Sequence, residues 1–157
     1  MPESRLAEPA ATRGELSRES PASTERSSAH LAYQILHVGY TILPILVGAD
    51  KFSRVLANWD QYLSGFVQRL LPISAHAFMM LVGGIEIAAG LLVAILPRLG
   101  AFVVAAWLGC IVVNLLLVPG FLDIAVRDLG LALGALALGL LSRNYGRSIG
   151  KLFQPRV

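Results

Sequence analysis

The chain has 157 residues, of which 55% are hydrophobic and only 15% are charged. A soluble domain normally places about a quarter of its residues in charged side chains, so this composition argues against a soluble fold. Most of the charge lies outside four long apolar stretches, whose surface must face lipid. The formal net charge of +3 does not indicate a nucleic-acid partner, because the sequence has no basic stripe and no aromatic platform interleaved with basic residues.

The N-terminal segment, residues 1–28, is rich in Ser, Glu, Arg, Pro and Ala and has almost no large apolar residues. Such a segment cannot bury enough surface to offset its ordering entropy, so it is predicted to be a disordered tail. No apolar core follows a basic start, which argues against a cleavable signal peptide. The first hydrophobic helix is therefore expected to direct membrane insertion.

Four apolar stretches, each close to the roughly 20 residues that cross a bilayer, predict a transmembrane helix bundle over residues 29–143. They cover residues 31–49, 76–96, 101–118 and 124–141. Short breaks at Pro97-Arg98 and Pro119-Gly120 separate the last three, so neighbouring helices are expected to be antiparallel and in contact. The predicted fold class is all-α.

The first connection, residues 50–74, is long and carries apolar residues at helical spacing. These are Val55, Leu56, Trp59, Tyr62, Leu63, Phe66, Val67 and Leu70. Polar residues fill much of the rest, which predicts an amphipathic helix with aromatic anchors that ends at Leu71-Pro72. This helix is too polar to span a bilayer, and we expect it to lie in the interface or to cap the mouth of the bundle.

The distribution of basic residues favours cytoplasmic termini. Four spans put both termini and the Pro97-Arg98 turn on one side of the membrane. That side carries Arg26, Arg98, Arg143, Arg147, Lys151 and Arg156, and the opposite side carries Lys51, Arg54, Arg69 and Arg127. The basic segment 144–157 is accordingly predicted to be a cytoplasmic tail.

Glu86 lies near the middle of the second span, where an ionisable residue is costly unless it faces the bundle interior and finds a partner. Gly83 and Gly90 share its helix face, so the carboxyl group projects from a strip of small residues that another helix can approach closely. The group is expected to be protonated or paired. Two interpretations remain open: an interhelical hydrogen bond that fixes packing, or a role in binding or proton handling.

Other polar residues fall at a compatible depth in the outer half of the bundle. Arg127 is the predicted partner of Glu86, although Asp123, four residues before Arg127, is an alternative partner for it. Asp128 lies about 100° around the helix from Arg127 and is expected to meet a different neighbour, while an ordinary helix-end charge pair is the competing interpretation. The predicted ligand-binding cluster is Asp50, Lys51, Glu86, Asn114, Arg127 and Asp128.

Motifs for metal binding or catalysis cannot be read from the sequence. Cys110 is the only cysteine and lies in an apolar run, so it forms no intrachain disulfide, CxxC pair or four-ligand zinc site. His37 lies towards the cytoplasmic half, apart from His30 and His76, which argues against paired axial ligation of a haem. A hydrogen-bonded packing role is the preferred interpretation of His37.

Three short segments resemble motifs of the DoxX-like family of small membrane proteins. They are residues 48–52 (GADKF), 83–90 (GGIEIAAG) and 127–130 (RDLG), and the resemblance extends roughly over residues 31–143. The resemblance implies a four-helix protein of the bacterial plasma membrane, linked to membrane redox or oxidative-stress assemblies. The family takes its name from a subunit associated with a membrane quinone oxidoreductase of sulfur metabolism. The residues that match the family are Lys51, Glu86, Arg127 and Asp128.

The leading hypothesis is a small membrane subunit that binds a quinone-like molecule, or that anchors an oxidoreductase beside the quinone pool. Glu86 and Arg127 under the amphipathic cap would supply the hydrogen-bond donor or the proton. The chain carries no additional redox domain and no covalently bound cofactor is expected, so we do not expect it to be catalytic alone. The alternatives are a transporter module for a small metabolite, and a structural assembly factor. The expected partners are the lipid bilayer and either a membrane oxidoreductase or further copies of the chain.

Overall fold

The computed structural model describes residues 21–145, which form helices joined by short connections with no strand among them. The elements are α1 (Pro21–Ser53), a 3₁₀ helix (Trp59–Tyr62), α2 (Gly65–Leu70), α3 (Ala75–Ile95), α4 (Pro97–Leu116) and α5 (Leu122–Tyr145). Four helices are long and apolar enough to cross a membrane: Glu25–Ser53 within α1, and the whole of α3, α4 and α5. The predicted all-α fold with four such helices is confirmed, and the chain is a membrane protein.

The ends of the chain differ from the prediction where they can be compared. α1 begins at Pro21, so residues 21–28 of the predicted tail form its first turns. Residues 1–20 of the predicted tail and residues 146–157 of the predicted C-terminal tail lie outside the described part of the chain.

Local capping chemistry sets the helix boundaries. α1 ends because Arg54 takes a left-handed conformation with φ of 57°, and its N–H donates to the Asp50 carbonyl at 2.6 Å. Ser64 and Ser74 begin α2 and α3, since each hydroxyl accepts a backbone N–H of the first turn. Pro97, the first residue of α4, cannot continue α3 and so makes the turn between them tight.

The four long helices form a closed ring, in which α1 packs chiefly against α3 and α4 chiefly against α5. The two pairs meet through α3 with α4 and through α1 with α5. Glycine permits the close approach of α1 and α3, because a Cβ atom built on Gly48 would lie 2.6 Å from the carbonyl oxygen of Gly83, and the reverse also holds. The two helices are antiparallel, since Gly90 farther along α3 meets Thr41 and Ile45 earlier in α1, and the side chains of Lys51 and Glu86 reach towards each other across the Gly48–Gly83 contact.

The bundle has two halves of different character. One half, which we call the solid half, is filled by a cluster that joins all four helices. Its buried members are Tyr33, Tyr40, Ala89, Val93, Ala101, Val104, Ala105, Ala135 and Leu138. The other half, which we call the cavity half, contains residues 43–51 of α1 and the α3, α4 and α5 residues opposite them, and it holds a large internal space.

The connection between α1 and α3 differs from the predicted single amphipathic helix. Residues 54–71, which we call the cap, form the 3₁₀ helix and α2 with a break between them, and residues 54–58 are not helical. The break has a local cause, because the Ser64 hydroxyl starts a new helix by accepting the Val67 N–H. The apolar stripe is still used: Leu63 is buried against Met79 and Val82 of α3.

Candidate functional site

A cavity of about 780 Å³ lies beneath the cap in the cavity half of the bundle. The cap and all four spanning helices line it, mostly with apolar side chains, and it is open to the outside of the bundle. Its charged lining residues are Lys51, Glu86, Arg127 and Asp128. The cavity falls in the range of a few hundred to about 1,000 Å³ that is usual for small-molecule sites.

Lys51 and Glu86 form a buried ion pair across the α1–α3 contact. The Lys51 Nζ donates to the Glu86 Oε2 at 2.6 Å, and the two side chains are only 4% and 9% exposed. The ammonium group also lies 3.9 Å from the centre of the Trp59 ring in the cap. A Cβ on Gly83 would lie 3.1 Å from the Cβ of Lys51, so glycine at this position lets the lysine reach the glutamate.

The predicted partner of Glu86 was Arg127, and this prediction was wrong. Glu86 pairs with Lys51 because α1 packs closely against α3, whereas α5 stands across the cavity from Glu86. Lys51 was placed in the cluster by its depth and by the family resemblance, and neither says which helix lies next to α3.

Trp107 of α4 supplies a buried hydrogen-bond donor that the sequence reasoning did not use. Its indole Nε1 is shielded from solvent and has no hydrogen-bond partner of good geometry in the part of the chain that the structure describes. It lies close to the Glu86 carboxylate and in the cavity wall. A buried N–H that makes no well-formed hydrogen bond is costly, so an acceptor atom bound in the cavity would stabilise it.

Arg127 and Asp128 pair with each other at the edge of the cavity. The Nε and one terminal nitrogen of Arg127 both lie 2.9 Å from Asp128 Oδ1. The Arg127 side chain is 62% exposed, whereas that of Asp128 is 9% exposed. The expectation that Asp128 meets a different neighbour was therefore wrong, because the long arginine side chain folds back along α5 to the adjacent carboxylate.

Asp50 and Asn114 hold the cap in place. The Asp50 carboxylate accepts the backbone N–H groups of Val55 and Leu56 and the indole N–H of Trp59, the last at 2.8 Å. The Asn114 amide donates to the Tyr62 carbonyl at 2.6 Å and accepts the Ser64 N–H at 3.0 Å. Asn114 also lines the cavity, but its amide is already bonded to the cap on both sides. The predicted cluster therefore divides into two cap anchors and four charged wall residues.

Replacing Asn114 by alanine is expected to loosen the cap while leaving the bundle folded. The change leaves the Tyr62 carbonyl and the Ser64 N–H without partners, which costs about 1–3 kcal/mol and favours local opening by about tenfold or more. Trypsin should then cut the cap at Arg69 correspondingly faster, as measured by mass spectrometry of the products. Asn58→Ala is the control, since Asn58 is exposed in the cap and makes no capping bond. Equal cleavage of both variants would contradict the anchoring role.

The histidines lie away from this site in the solid half and at the cap. As predicted, His37 is a packing residue: its Nε2 lies 3.0 Å from the Val93 carbonyl oxygen and its ring stacks on Tyr33. Within residues 21–145 no group of three or more His, Cys, Asp or Glu side chains is arranged to hold a metal ion.

Comparison of the chain with protein-family models, with curated proteins and with solved structures returns no match. The cavity and the residues in its wall therefore carry the functional conclusion.

Proposed function

We propose that this protein is a DoxX-like subunit of the bacterial plasma membrane whose cavity binds the head group of a quinone-type redox molecule. In this role it would present the quinone to a partner oxidoreductase, which supplies the electrons. The observation that carries the proposal is the convergence of three polar groups in the wall of a mostly apolar cavity: the Lys51–Glu86 pair and, close to the Glu86 carboxylate, the buried Trp107 N–H, which makes no well-formed hydrogen bond within the described residues. Apolar walls with a few convergent polar groups are typical of small-molecule sites.

The chemistry of these groups suits a carbonyl ligand. A quinone carbonyl is a hydrogen-bond acceptor, and both the indole N–H of Trp107 and the ammonium group of Lys51 are donors. Lys51 has three N–H bonds, and its hydrogen bond to Glu86 uses one of them. Glu86 is the group that can hold or release a proton as the quinone is reduced.

The resemblance to the DoxX-like family gains support from the arrangement of its three segments. Residues 48–52 provide Lys51, residues 83–90 provide Glu86, and residues 127–130 provide the Arg127–Asp128 pair. All four side chains line one cavity, although the segments are far apart in the sequence. A shared ligand site explains why these three segments carry the resemblance.

The proposed orientation puts both termini in the cytoplasm, because basic residues are more frequent at that end of the bundle. The cap then faces the outer side of the membrane. Several of its apolar side chains are exposed and lie outside the cavity wall: Val55 is 81% exposed, Phe66 59% and Leu70 69%. Such a surface suits the headgroup interface, where amphipathic segments bury their apolar side chains.

The test is quinone binding by the Trp107→Phe variant. Phenylalanine keeps an aromatic ring but removes the N–H, so affinity for a fully ring-substituted quinone should fall about tenfold, the value of one hydrogen bond near 1.4 kcal/mol. The stability of the fold should change little, because the lost donor makes no well-formed hydrogen bond within residues 21–145. Binding is measured in nanodiscs by quenching of Trp59, which lies in the cavity wall and remains in the variant. A full ring substitution prevents reaction of the quinone with Cys110.

A second pair of variants tests ionisation. Glu86→Gln keeps the shape and much of the hydrogen bonding but removes the acid, whereas Asp123→Asn makes the same change at an exposed residue outside the cavity wall. Quinone-coupled proton uptake that survives Glu86→Gln undiminished would overturn the proposed mechanism. Accumulation of a small metabolite in vesicles that contain this protein alone would favour a transporter instead, and a stoichiometric protein partner without any quinone would favour an assembly factor.

A further inference from the structure

We call the line along which α1 and α5 face each other the seam. In the solid half of the bundle the two helices are in contact along the seam. The Tyr40 hydroxyl of α1 donates to the Leu131 carbonyl of α5. Gly134 of α5 makes room for the same tyrosine, since a Cβ there would collide with its hydroxyl. Farther along, Tyr33 of α1 packs against Tyr145 of α5, with ring centres 6.0 Å apart. Tyr40 therefore marks the end of the closed part of this seam that lies nearest the cavity.

Beyond Tyr40 the two helices border the cavity instead. On each helix the lining residues form one stripe at helical spacing. The stripe on α1 is Tyr40, Leu43, Pro44, Val47 and Lys51, and the stripe on α5 is Ile124, Arg127, Asp128 and Leu131. The two stripes start from the Tyr40–Leu131 bond and continue along opposite sides of the same open space.

Residues on this side of the cavity are accessible from outside. Two lining residues of α1 and α5 keep more than half of their surface exposed: Leu43 at 53% and the Arg127 side chain at 62%. Pro44 lies within α1 one turn beyond Tyr40. Because proline has no N–H, the helix lacks one backbone hydrogen bond at the level where the seam opens.

We infer that the open part of the α1–α5 seam is a lateral portal to the bilayer, and that the ligand carries a long apolar chain which leaves the cavity through it. The inference rests on the proposed function and adds the class of ligand. The head binds at Lys51, Glu86 and Trp107, and the chain lies between Leu43 and Leu131 with its far end among lipid tails. A portal between spanning helices opens at the depth of the hydrocarbon core, so a membrane-dissolved molecule reaches the head site without crossing water.

The experiment uses a quinone with a photoreactive diazirine near the start of its tail, in nanodiscs that contain the full chain. A bound tail has a local concentration in the millimolar range, so labelling at the seam should exceed labelling of an outward lipid-facing residue by about tenfold or more. The expected labels fall on Leu43 and Leu131, and the comparison position is Leu46, which is 57% exposed and outside the cavity wall. An excess of unlabelled quinone should remove the labels at the seam only.

A blocking variant provides the second measurement. Leu43→Trp narrows the portal, so it should lower the ratio of affinities for tailed and tail-less quinone by about tenfold, the size of a moderate steric clash. Leu46→Trp, the same change one turn away, should leave this ratio at the wild-type value. Saturable binding with labels away from the seam, or with equal ratios in both variants, would overturn the portal while leaving the proposed function standing. Failure of wild type to bind either quinone saturably would overturn the proposed function, and the portal with it.

Discussion

Replacing Gly83 by leucine is expected to force α1 away from α3 and to cause a large loss of stability. A Cβ at this position would lie 2.6 Å from the Gly48 carbonyl oxygen and 3.0 Å from the Phe52 ring. The nearest atom belongs to the backbone, which cannot rotate away as a side chain does. Overpacking at such a contact costs about 3 kcal/mol or more, and it also separates Lys51 from Glu86.

The matched control is Gly84→Leu, which makes the same change at the next residue. A Cβ on Gly84 would meet nothing within 4 Å, so leucine there faces open space and should leave stability near that of the wild type. The measurement is reversible unfolding in mixed detergent micelles, followed by tryptophan fluorescence. If both variants unfold at the same detergent fraction, the close contact of Gly48 with Gly83 does not limit stability.

Breaking the Lys51–Glu86 pair on one side only is expected to be the second large effect. Glu86→Leu leaves a buried ammonium group without its counter-ion, and Lys51→Met leaves a buried carboxylate, and each single change should cost about 3–5 kcal/mol. The double variant Lys51→Met with Glu86→Leu removes both charges and fills the space with apolar groups. Its stability should return to near that of the wild type, as seen in the same unfolding measurement.

This double variant separates folding from function. If the pair exists to bind a ligand, the double variant folds but loses quinone binding. If the pair only fixes helix packing, the double variant behaves as the wild type in binding as well as in stability. A double variant as unstable as the two singles would mean that the destabilisation comes from shape and packing, and not from the uncompensated charge.

The four spanning helices could be predicted because length and apolarity alone decide whether a segment crosses a bilayer. The pairing of Glu86 with a buried polar group could be predicted for a related reason, since a carboxyl group in mid-span must find a partner. Which residue serves as that partner could not be predicted. The depth of a residue in the membrane can be estimated from its position along one helix. Which helices are neighbours depends on the glycine contact between α1 and α3, and the long connection between these helices does not restrict their arrangement.

The cap shows a second limit of sequence reasoning. The apolar spacing of residues 55–70 is that of a single helix, yet two local interactions compete with helix formation. Asp50 binds the backbone N–H groups of Val55 and Leu56, and Ser64 begins a new helix at Gly65. The same competition explains why Asp50 and Asn114, expected at the ligand, are bonded to the cap instead. Polar residues beside a connection often satisfy its backbone before they meet anything else.

The helix α1 is longer than a bilayer crossing requires. At about 1.5 Å per residue its 33 residues extend for about 50 Å, well beyond a hydrocarbon core of about 30 Å, whereas α3 has 21 residues and α4 has 20. Ring contacts of His30 and Tyr33 with Tyr145 brace this helix against α5 at the far end of the bundle. The turns of α1 before His30 therefore project beyond this contact with α5, at the end of the bundle opposite the cap.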